Sequence, residues 1–124
     1  MFRLSALLLL FFLSCFCEGI HAQEVIYSPS SLGPLKVTTV VKNLANPWGM
    51  AFLPDGRILI TERPGRLRIY SQGQISPAIT GTPAVYNQGQ GGLLDVAIDP
   101  NFRQNQWIYL TYAEAGSGGV AGTA

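Results

Sequence analysis

The sequence predicts an all-β fold built from short strands and tight turns. Runs of β-branched and aromatic residues are separated by turns such as Pro54–Gly56 and Arg63–Gly65, in which proline presets its own backbone angle and glycine takes a conformation that other residues avoid. Beyond residue 22, no stretch shows sustained helical periodicity. We therefore expect antiparallel sheets and little helix.

The predicted strands are runs rich in apolar and β-branched residues: Lys36–Lys42, Trp48–Leu53, Arg57–Glu62, Arg66–Tyr70, Leu93–Ile98 and Trp107–Ala113. In Arg66–Tyr70 polar and apolar residues alternate, which is typical of a half-buried strand. Between the strands we predict an irregular segment at Ile75–Gln88 and a long turn at Asp99–Gln106. Gly116–Gly122 is predicted to be flexible.

An internal repeat refines this prediction. Ala51–Asp55 resembles Ala97–Asn101 at an offset of 46 residues, and a second apolar strand follows each copy. A period of roughly 40–50 residues with several strands per unit indicates the blades of a β-propeller. Such a ring closes with typically four to eight blades, and residues 36–124 supply about one and a half. We therefore expect the N-terminal part of a longer protein, with unpaired sheet edges.

Residues 1–22 have the layout of a secretory signal. Arg3 precedes the nearly unbroken apolar run Leu4–Cys17, which is too short and wrongly flanked for a spanning helix. We place cleavage after Ala22, with Gly19 as an alternative, and a lipid anchor at Cys15 is a further alternative. The protein is thus expected to be exported, to the periplasm or the medium, with no transmembrane segment. Residues 23–35 are interpreted as an extended leader.

The composition excludes several classes of function. Both cysteines, Cys15 and Cys17, and the one histidine, His21, lie in the predicted signal. The mature chain therefore has no disulfide, no Cys/His zinc site and no histidine of its own for catalysis. The net charge of +1 and the lack of a concentrated basic face argue against a nucleic-acid partner. The oligomeric state is not determined by the sequence.

The glycine-rich segment Asn87–Gly92, here called the glycine loop, is the candidate binding site. It contains three glycines in the last four positions and runs directly into the strand Leu93–Ile98. Glycines allow left-handed backbone and close packing, and loops held by a rigid scaffold are where binding groups concentrate. Gln90 is therefore the candidate site residue. The alternative is an amide that bonds only local backbone.

From Leu44 onward the chain resembles the soluble quinoprotein sugar dehydrogenases of the glucose/sorbosone dehydrogenase family, and within it the aldose sugar dehydrogenase branch. Four pieces carry the resemblance, in family order and spacing, over some 70 residues. They are PWGMAFLPDG (Pro47–Gly56), TERPGRL (Thr61–Leu67), GQGGLLDVAIDPNF (Gly89–Phe102) and IYLTYAE (Ile108–Glu114).

The resemblance implies a six-bladed β-propeller that binds pyrroloquinoline quinone (PQQ) with the help of calcium and basic residues. It implies oxidation of an aldose at C1 to the lactone, with a histidine as base and an external electron acceptor. Gln90 matches the glutamine of the family's GQ-x-G-LL motif, which borders the quinone and the sugar. The base, the calcium ligands and the cofactor-binding lysine and arginines are expected beyond residue 124. Residues 1–124 alone are thus expected to hold no catalytic or metal-binding residue and to be inactive.

For several other residues we favour a structural interpretation over a functional one. Asp95 is expected to accept hydrogen bonds between blades, although it could instead orient the glycine loop. Three arginines are expected as solvated strand ends rather than an anion site: Arg63, Arg66 and Arg68. Three aromatic residues are expected in the core rather than stacked on a sugar: Trp48, Trp107 and Tyr109. Three acidic residues could suggest calcium, but we predict no metal site from them: Asp55, Glu62 and Asp99.

Two other functions stay open at this level. The first is a non-catalytic extracellular β-propeller that binds protein or carbohydrate, because a fold does not determine its chemistry. The second is a propeller hydrolase such as a lactonase, which would need a cluster of acidic metal ligands in the central channel. No such cluster is visible in the sequence.

Overall fold

The computed structural model describes residues 25–124, so the predicted signal, with Cys15, Cys17 and His21, lies outside the described residues. Within this range the chain is all-β apart from a four-residue helix, α1 (Phe102–Asn105), and a 3₁₀ turn at Ser117–Gly119. The strands are β1 (Val25–Ser28), β2 (Leu35–Thr38), β3 (Pro47–Phe52), β4 (Ile58–Glu62), β5 (Arg66–Ser71), β6 (Gln74–Ile75), β7 (Leu93–Ile98), β8 (Ile108–Ala115) and β9 (Ala121–Thr123).

Strands β3 to β6 form a four-stranded antiparallel sheet in chain order. The turn between β3 and β4 is closed by the Leu53 N–H, which donates to the Arg57 carbonyl at 2.8 Å, and Gly56 takes a φ of +88° there. That φ explains why a glycine stands at this position. The sheet is one complete four-stranded blade of a β-propeller.

Strands β7, β8 and β9 form a second, three-stranded antiparallel sheet that repeats the first. The β3–β4 register shifts between Pro47 and Met50, and the β7–β8 register shifts between Leu93 and Val96, 46 residues later in both cases. After the turn the offset becomes 50, because the four residues of α1 lengthen the connection. The internal repeat is confirmed, and the two sheets are neighbouring blades of a β-propeller.

Several elements differ from the prediction. The leader contains β1, which pairs with β2 in a two-stranded sheet, and β2 ends at Thr38 instead of continuing to Lys42. The predicted long turn at Asp99–Gln106 contains α1. The segment predicted to be flexible contains β9, which pairs with β8. For α1 and β9 the sequence has too few apolar residues to indicate an element.

The core lies between the two blades, where β7 packs against β3 and β4. Five buried aliphatic side chains form it: Leu53, Leu59, Leu67, Leu93 and Val96. Fully burying one such side chain stabilises the fold by about 1.5–3 kcal/mol, so this cluster holds β7 at a fixed place beside the first blade. That placement positions the glycine loop, which precedes β7 directly. None of the helices in residues 25–124 is long and apolar enough to cross a membrane.

Candidate functional site

Gln90 lies at the tip of a tight turn in the glycine loop. The Gly91 N–H donates to the Gln88 carbonyl at 2.8 Å, and Gly89 has a φ of +55°. The Gln90 residue is exposed, and no side chain or backbone group among residues 25–124 hydrogen-bonds its amide. The structure thus presents a primary amide at a fixed backbone position, with its donor and acceptor atoms accessible.

The two glycines after Gln90 are required by close packing. A Cβ on Gly91 would collide with the Tyr86 carbonyl oxygen, and a Cβ on Gly92 would collide with the Arg63 carbonyl oxygen. Gly92 also has a φ of +138°, which other residues rarely adopt. The loop therefore lies directly against the turn between β4 and β5 of the first blade.

The residue before the glycine loop and the last residue of the loop are both bound to one residue of β8. The Tyr86 N–H donates to the Ala113 carbonyl at 2.7 Å, and the Ala113 N–H donates to the Gly92 carbonyl at 2.8 Å. Since Ala113 is buried in the middle of the second blade, the loop starts and ends on a rigid strand.

Arg63 binds the glycine loop from the first blade. Its Nε donates to the Gly91 carbonyl at 3.1 Å, and its Nη2 donates to the Gly89 carbonyl. Its Cζ lies 5.9 Å from the centroid of the Trp48 ring, within the range of a cation–π contact. The expectation that Arg63 is a solvated strand end is wrong. Its position in the TERPGRL piece, immediately before a Pro-Gly turn, was the available signal.

The other two arginines neutralise a buried carboxylate. The Glu62 side chain is completely buried, and its Oε2 accepts from Arg66 Nε at 2.6 Å and from Arg68 Nη1 at 3.3 Å. Its Oε1 accepts the Ala45 N–H at 2.6 Å. Burial raises the pKa of Glu62, but the hydrogen bonds from Arg66 and Ala45 and the two positive charges outweigh it, so the pKa lies below its usual value. Arg66 and Arg68 are thus structural ion-pair partners, not free strand ends.

Thr61 makes the bond between blades that we expected of Asp95. Its buried hydroxyl accepts the Gly49 N–H at 2.9 Å and donates to the Leu94 carbonyl of the second blade at 2.5 Å. Asp95 is exposed, and its Oδ1 accepts the Val96 N–H of its own strand at 2.8 Å. The expected role of Asp95 is therefore wrong, because the register shift in β7 directs its carboxylate back onto the strand.

Within residues 25–124 the three aromatic residues lie outside the core. Trp48, Trp107 and Tyr109 are 51%, 63% and 52% exposed, because they lie on strand faces and ends that no other layer of residues 25–124 covers. Tyr109 donates its hydroxyl to Asp99 Oδ2 at 2.6 Å. The hydrogen bonds from Tyr109 and Asn105 lower the pKa of Asp99, and the same Asp99 contact raises the pKa of Tyr109.

The two aspartates of this set bond locally, in the turns where they lie. Asp55 accepts the Arg57 N–H at 3.1 Å and pairs with the Arg57 guanidinium at 2.7 Å, which lowers the pKa of Asp55. Asp99 accepts the Asn101 N–H at 2.8 Å. Across residues 25–124, no three acidic, histidine or cysteine side chains come together in a group that could hold a metal ion.

The fold and the glycine loop define the class of protein. Two blades of a β-propeller are joined where a Gly-Gln-Gly-Gly turn meets the first strand of the second blade. Residues 44–124 match the family described as Glucose / Sorbosone dehydrogenase. Since this match covers more than half of the chain, the chain belongs to that family.

Individual relatives agree with the family. The chain is 46% identical over 92 residues to the aldose sugar dehydrogenase YliI of Escherichia coli strain K12. The matched region covers 73% of this chain and 25% of that protein. The crystal structure of the soluble aldose sugar dehydrogenase of E. coli in its apo form superposes with a TM-score of 0.63 at 49% identity, over 64% of this chain and 24% of that one.

A third relative carries a cofactor in its own structure. The PQQ-bound form of the aldose sugar dehydrogenase of Streptomyces coelicolor matches with a TM-score of 0.58 at 30% identity, over 62% of this chain and 24% of that one. The chain thus spans about a quarter of the length of these relatives.

Proposed function

We propose that the full-length protein is a PQQ-dependent dehydrogenase that oxidises an aldose at C1 to the lactone. Membership of the glucose/sorbosone dehydrogenase family and the likeness to named aldose sugar dehydrogenases support this proposal. The sugar loses two electrons and two protons. PQQ, when bound, supplies the two-electron acceptor, and an external acceptor then reoxidises it.

The single observation in this chain that carries the proposal is the accessible Gln90 amide. It stands on a turn whose backbone is fixed on both sides, and it has no partner among residues 25–124. An amide can donate to a quinone oxygen and accept from a sugar hydroxyl with the same side chain. Gln90 is therefore the residue of this chain that would border the cofactor and the sugar.

The described residues fit PQQ only in part. Gln90 offers one polar contact to such a cofactor. For the calcium ion, residues 25–124 offer no ligand cluster. We propose that the ion, the base and the other cofactor contacts belong to residues after 124.

We also propose that the protein is exported. The apolar run Leu4–Cys17 behind Arg3 is the supporting observation. In this proposal residues 1–22 are the signal, residues 23–35 a leader, and residues 36–124 the first part of the propeller domain, which acts in the periplasm or the medium.

The test is reconstitution of the full-length protein. The protein is prepared without cofactor, PQQ is titrated in with and without calcium, and aldose oxidation is followed with an electron-accepting dye. We expect turnover that requires both PQQ and calcium, and a kcat/KM at least about tenfold lower in Gln90→Ala, because a polar contact to the reacting molecules is lost. Gln104→Ala, an exposed glutamine on α1, is the matched control.

Two results would contradict the proposal. Turnover that is unaffected by Gln90→Ala would remove this residue from the site. Binding of an aldose without any oxidation in the presence of PQQ and calcium would instead indicate a non-catalytic binding module.

A further inference from the structure

Arg63 binds the carbonyl groups of the two residues that flank Gln90 in the sequence. One guanidinium reaches both: Nε donates to the Gly91 carbonyl at 3.1 Å, and Nη2 donates to the Gly89 carbonyl. The planar fork of an arginine matches two acceptors at a fixed separation, which a lysine ammonium does not. The bond crosses 28 residues of sequence and passes from the first blade to the second.

Arg63 is itself rigidly placed. Its N–H donates to the Asn46 carbonyl at 3.1 Å, and its carbonyl accepts the Leu93 N–H at 3.0 Å. Its guanidinium also lies over the Trp48 ring. Because the backbone and the guanidinium of Arg63 are both fixed, its hydrogen bonds hold the glycine loop at a fixed place relative to the first blade.

These contacts fix both peptide groups of Gln90. The peptide between Gly89 and Gln90 is held through the Gly89 carbonyl by Arg63. The peptide between Gln90 and Gly91 is held through the Gly91 N–H, which donates to the Gln88 carbonyl. Peptide groups are planar, so the Cα of Gln90 is fixed from both sides and only its side-chain torsions stay free. Glycines on both sides would otherwise make this the most mobile part of the loop.

We propose that Arg63 is a positioning residue, which orders the Gln90 turn so that the amide meets the cofactor and the sugar in one geometry. The inference rests on the proposed function for its consequence in catalysis, but the ordering of the turn does not depend on it. Pre-ordering lowers the entropy lost when a ligand binds, so Arg63 acts on affinity and turnover without touching the reacting atoms.

The first experiment measures the loop without any cofactor. Amide hydrogen exchange of the peptide covering residues 86–94 is followed by mass spectrometry in the full-length apoprotein of wild type, Arg63→Gln, Arg63→Lys and the control Arg57→Gln. Arg57 is an exposed arginine of the same blade, and among residues 25–124 its guanidinium pairs with Asp55 alone. We expect exchange at least about tenfold faster in Arg63→Gln, since two charge-assisted hydrogen bonds are lost. The lysine variant should be intermediate, and Arg57→Gln should match wild type.

The second experiment is a double-mutant cycle on kcat/KM with Gln90→Ala in the reconstituted protein. If Arg63 acts through Gln90, then Arg63→Gln should lower kcat/KM in wild type and have little further effect in the Gln90→Ala background. Arg63→Lys, which keeps the charge and the side-chain stem, provides a variant that folds even if Arg63→Gln does not.

The outcomes separate this inference from the proposed function. Unchanged exchange of residues 86–94 in both Arg63 variants would overturn the positioning role. Equal losses of kcat/KM from Arg63→Gln in both backgrounds would overturn it as well, because the effect would not pass through Gln90. Faster exchange together with a Gln90→Ala variant of normal activity would support the ordering of the turn and contradict the proposed role of Gln90 instead.

Discussion

The hydroxyl of Thr61 joins the two blades through the carbonyl of Leu94. The Thr61 Oγ1 lies 2.5 Å from the Leu94 oxygen and 2.9 Å from the Gly49 nitrogen, and Thr61 is completely buried. At the equivalent place in the second blade, Thr111 Oγ1 accepts the Asp95 N–H at 3.0 Å. A threonine thus stands at the equivalent position in each blade and binds a backbone N–H within the register shift. In the first blade this threonine also binds the neighbouring sheet.

Replacing Thr61 by valine should destabilise the protein. The change keeps the shape but leaves the Gly49 N–H and the Leu94 carbonyl without this partner, and an unsatisfied buried polar group costs about 1–3 kcal/mol. The measurement is the free energy of unfolding of the full-length protein in urea. Thr80→Val is the control: Thr80 is exposed and has no hydrogen bond among residues 25–124, so the change should be within about 0.5 kcal/mol. Equal losses in both variants would show that the bond between blades is not the cause.

Gly49 is a position where β3 of the first blade lies close against β7 of the second. A Cβ there would lie 2.5 Å from Asp95 Oδ1 and 3.0 Å from the Asp95 Cα. Because the second atom is backbone, Gly49→Ala must separate β3 from β7, and such overpacking costs about 1–3 kcal/mol. Gly122→Ala is the control, since nothing lies within 4 Å of a Cβ on that strand residue. In thermal unfolding of the full-length protein, Gly49→Ala should have a lower Tm than wild type, and Gly122→Ala should have the Tm of wild type.

The strands with strong local patterns could be predicted from the sequence. For β7 the predicted and observed bounds agree at Leu93–Ile98, because a run of apolar residues is bounded by glycines on one side and by Asp-Pro on the other. For β9 the sequence Ala121–Thr123 is too short and too small to indicate a strand. It forms because β8 offers an open edge.

At the candidate site, too, local features could be predicted from the sequence and contacts between the blades could not. The sequence indicates that Gln90 lies on a glycine turn before a rigid strand. It does not indicate what holds that turn, because the contact of Arg63 with the loop depends on how two blades pack. The three aromatic residues lie outside the core of residues 25–124 for a related reason. Hydrophobicity favours burial in general but does not tell which sheet face a neighbouring layer covers.

Replacing Glu62 by glutamine should destabilise the protein more than breaking the exposed ion pair between Asp55 and Arg57. The amide keeps an acceptor for the Ala45 N–H but removes the charge that balances Arg66 and Arg68. Removing one partner of a buried ion pair costs about 3–5 kcal/mol, and we expect the lower end because Arg66 is 42% exposed. Urea unfolding at pH 7 measures the change. Asp55→Asn, which breaks an exposed pair with Arg57, should leave the free energy of unfolding close to the wild-type value.

The stability that Glu62 contributes should depend on pH in one direction. Its pKa is lowered in the folded protein and is about 4.3 in an unfolded chain, so around that pH the unfolded state binds more protons. The contribution is therefore fully present above about pH 4.3 and is lost as the pH falls through the folded pKa. The difference in free energy of unfolding between wild type and Glu62→Gln, measured from pH 7 down to pH 3, should stay constant at first and then shrink. A difference that stays constant down to pH 3 would mean that the charge of Glu62 does not stabilise the fold, and that the loss in the variant comes from packing.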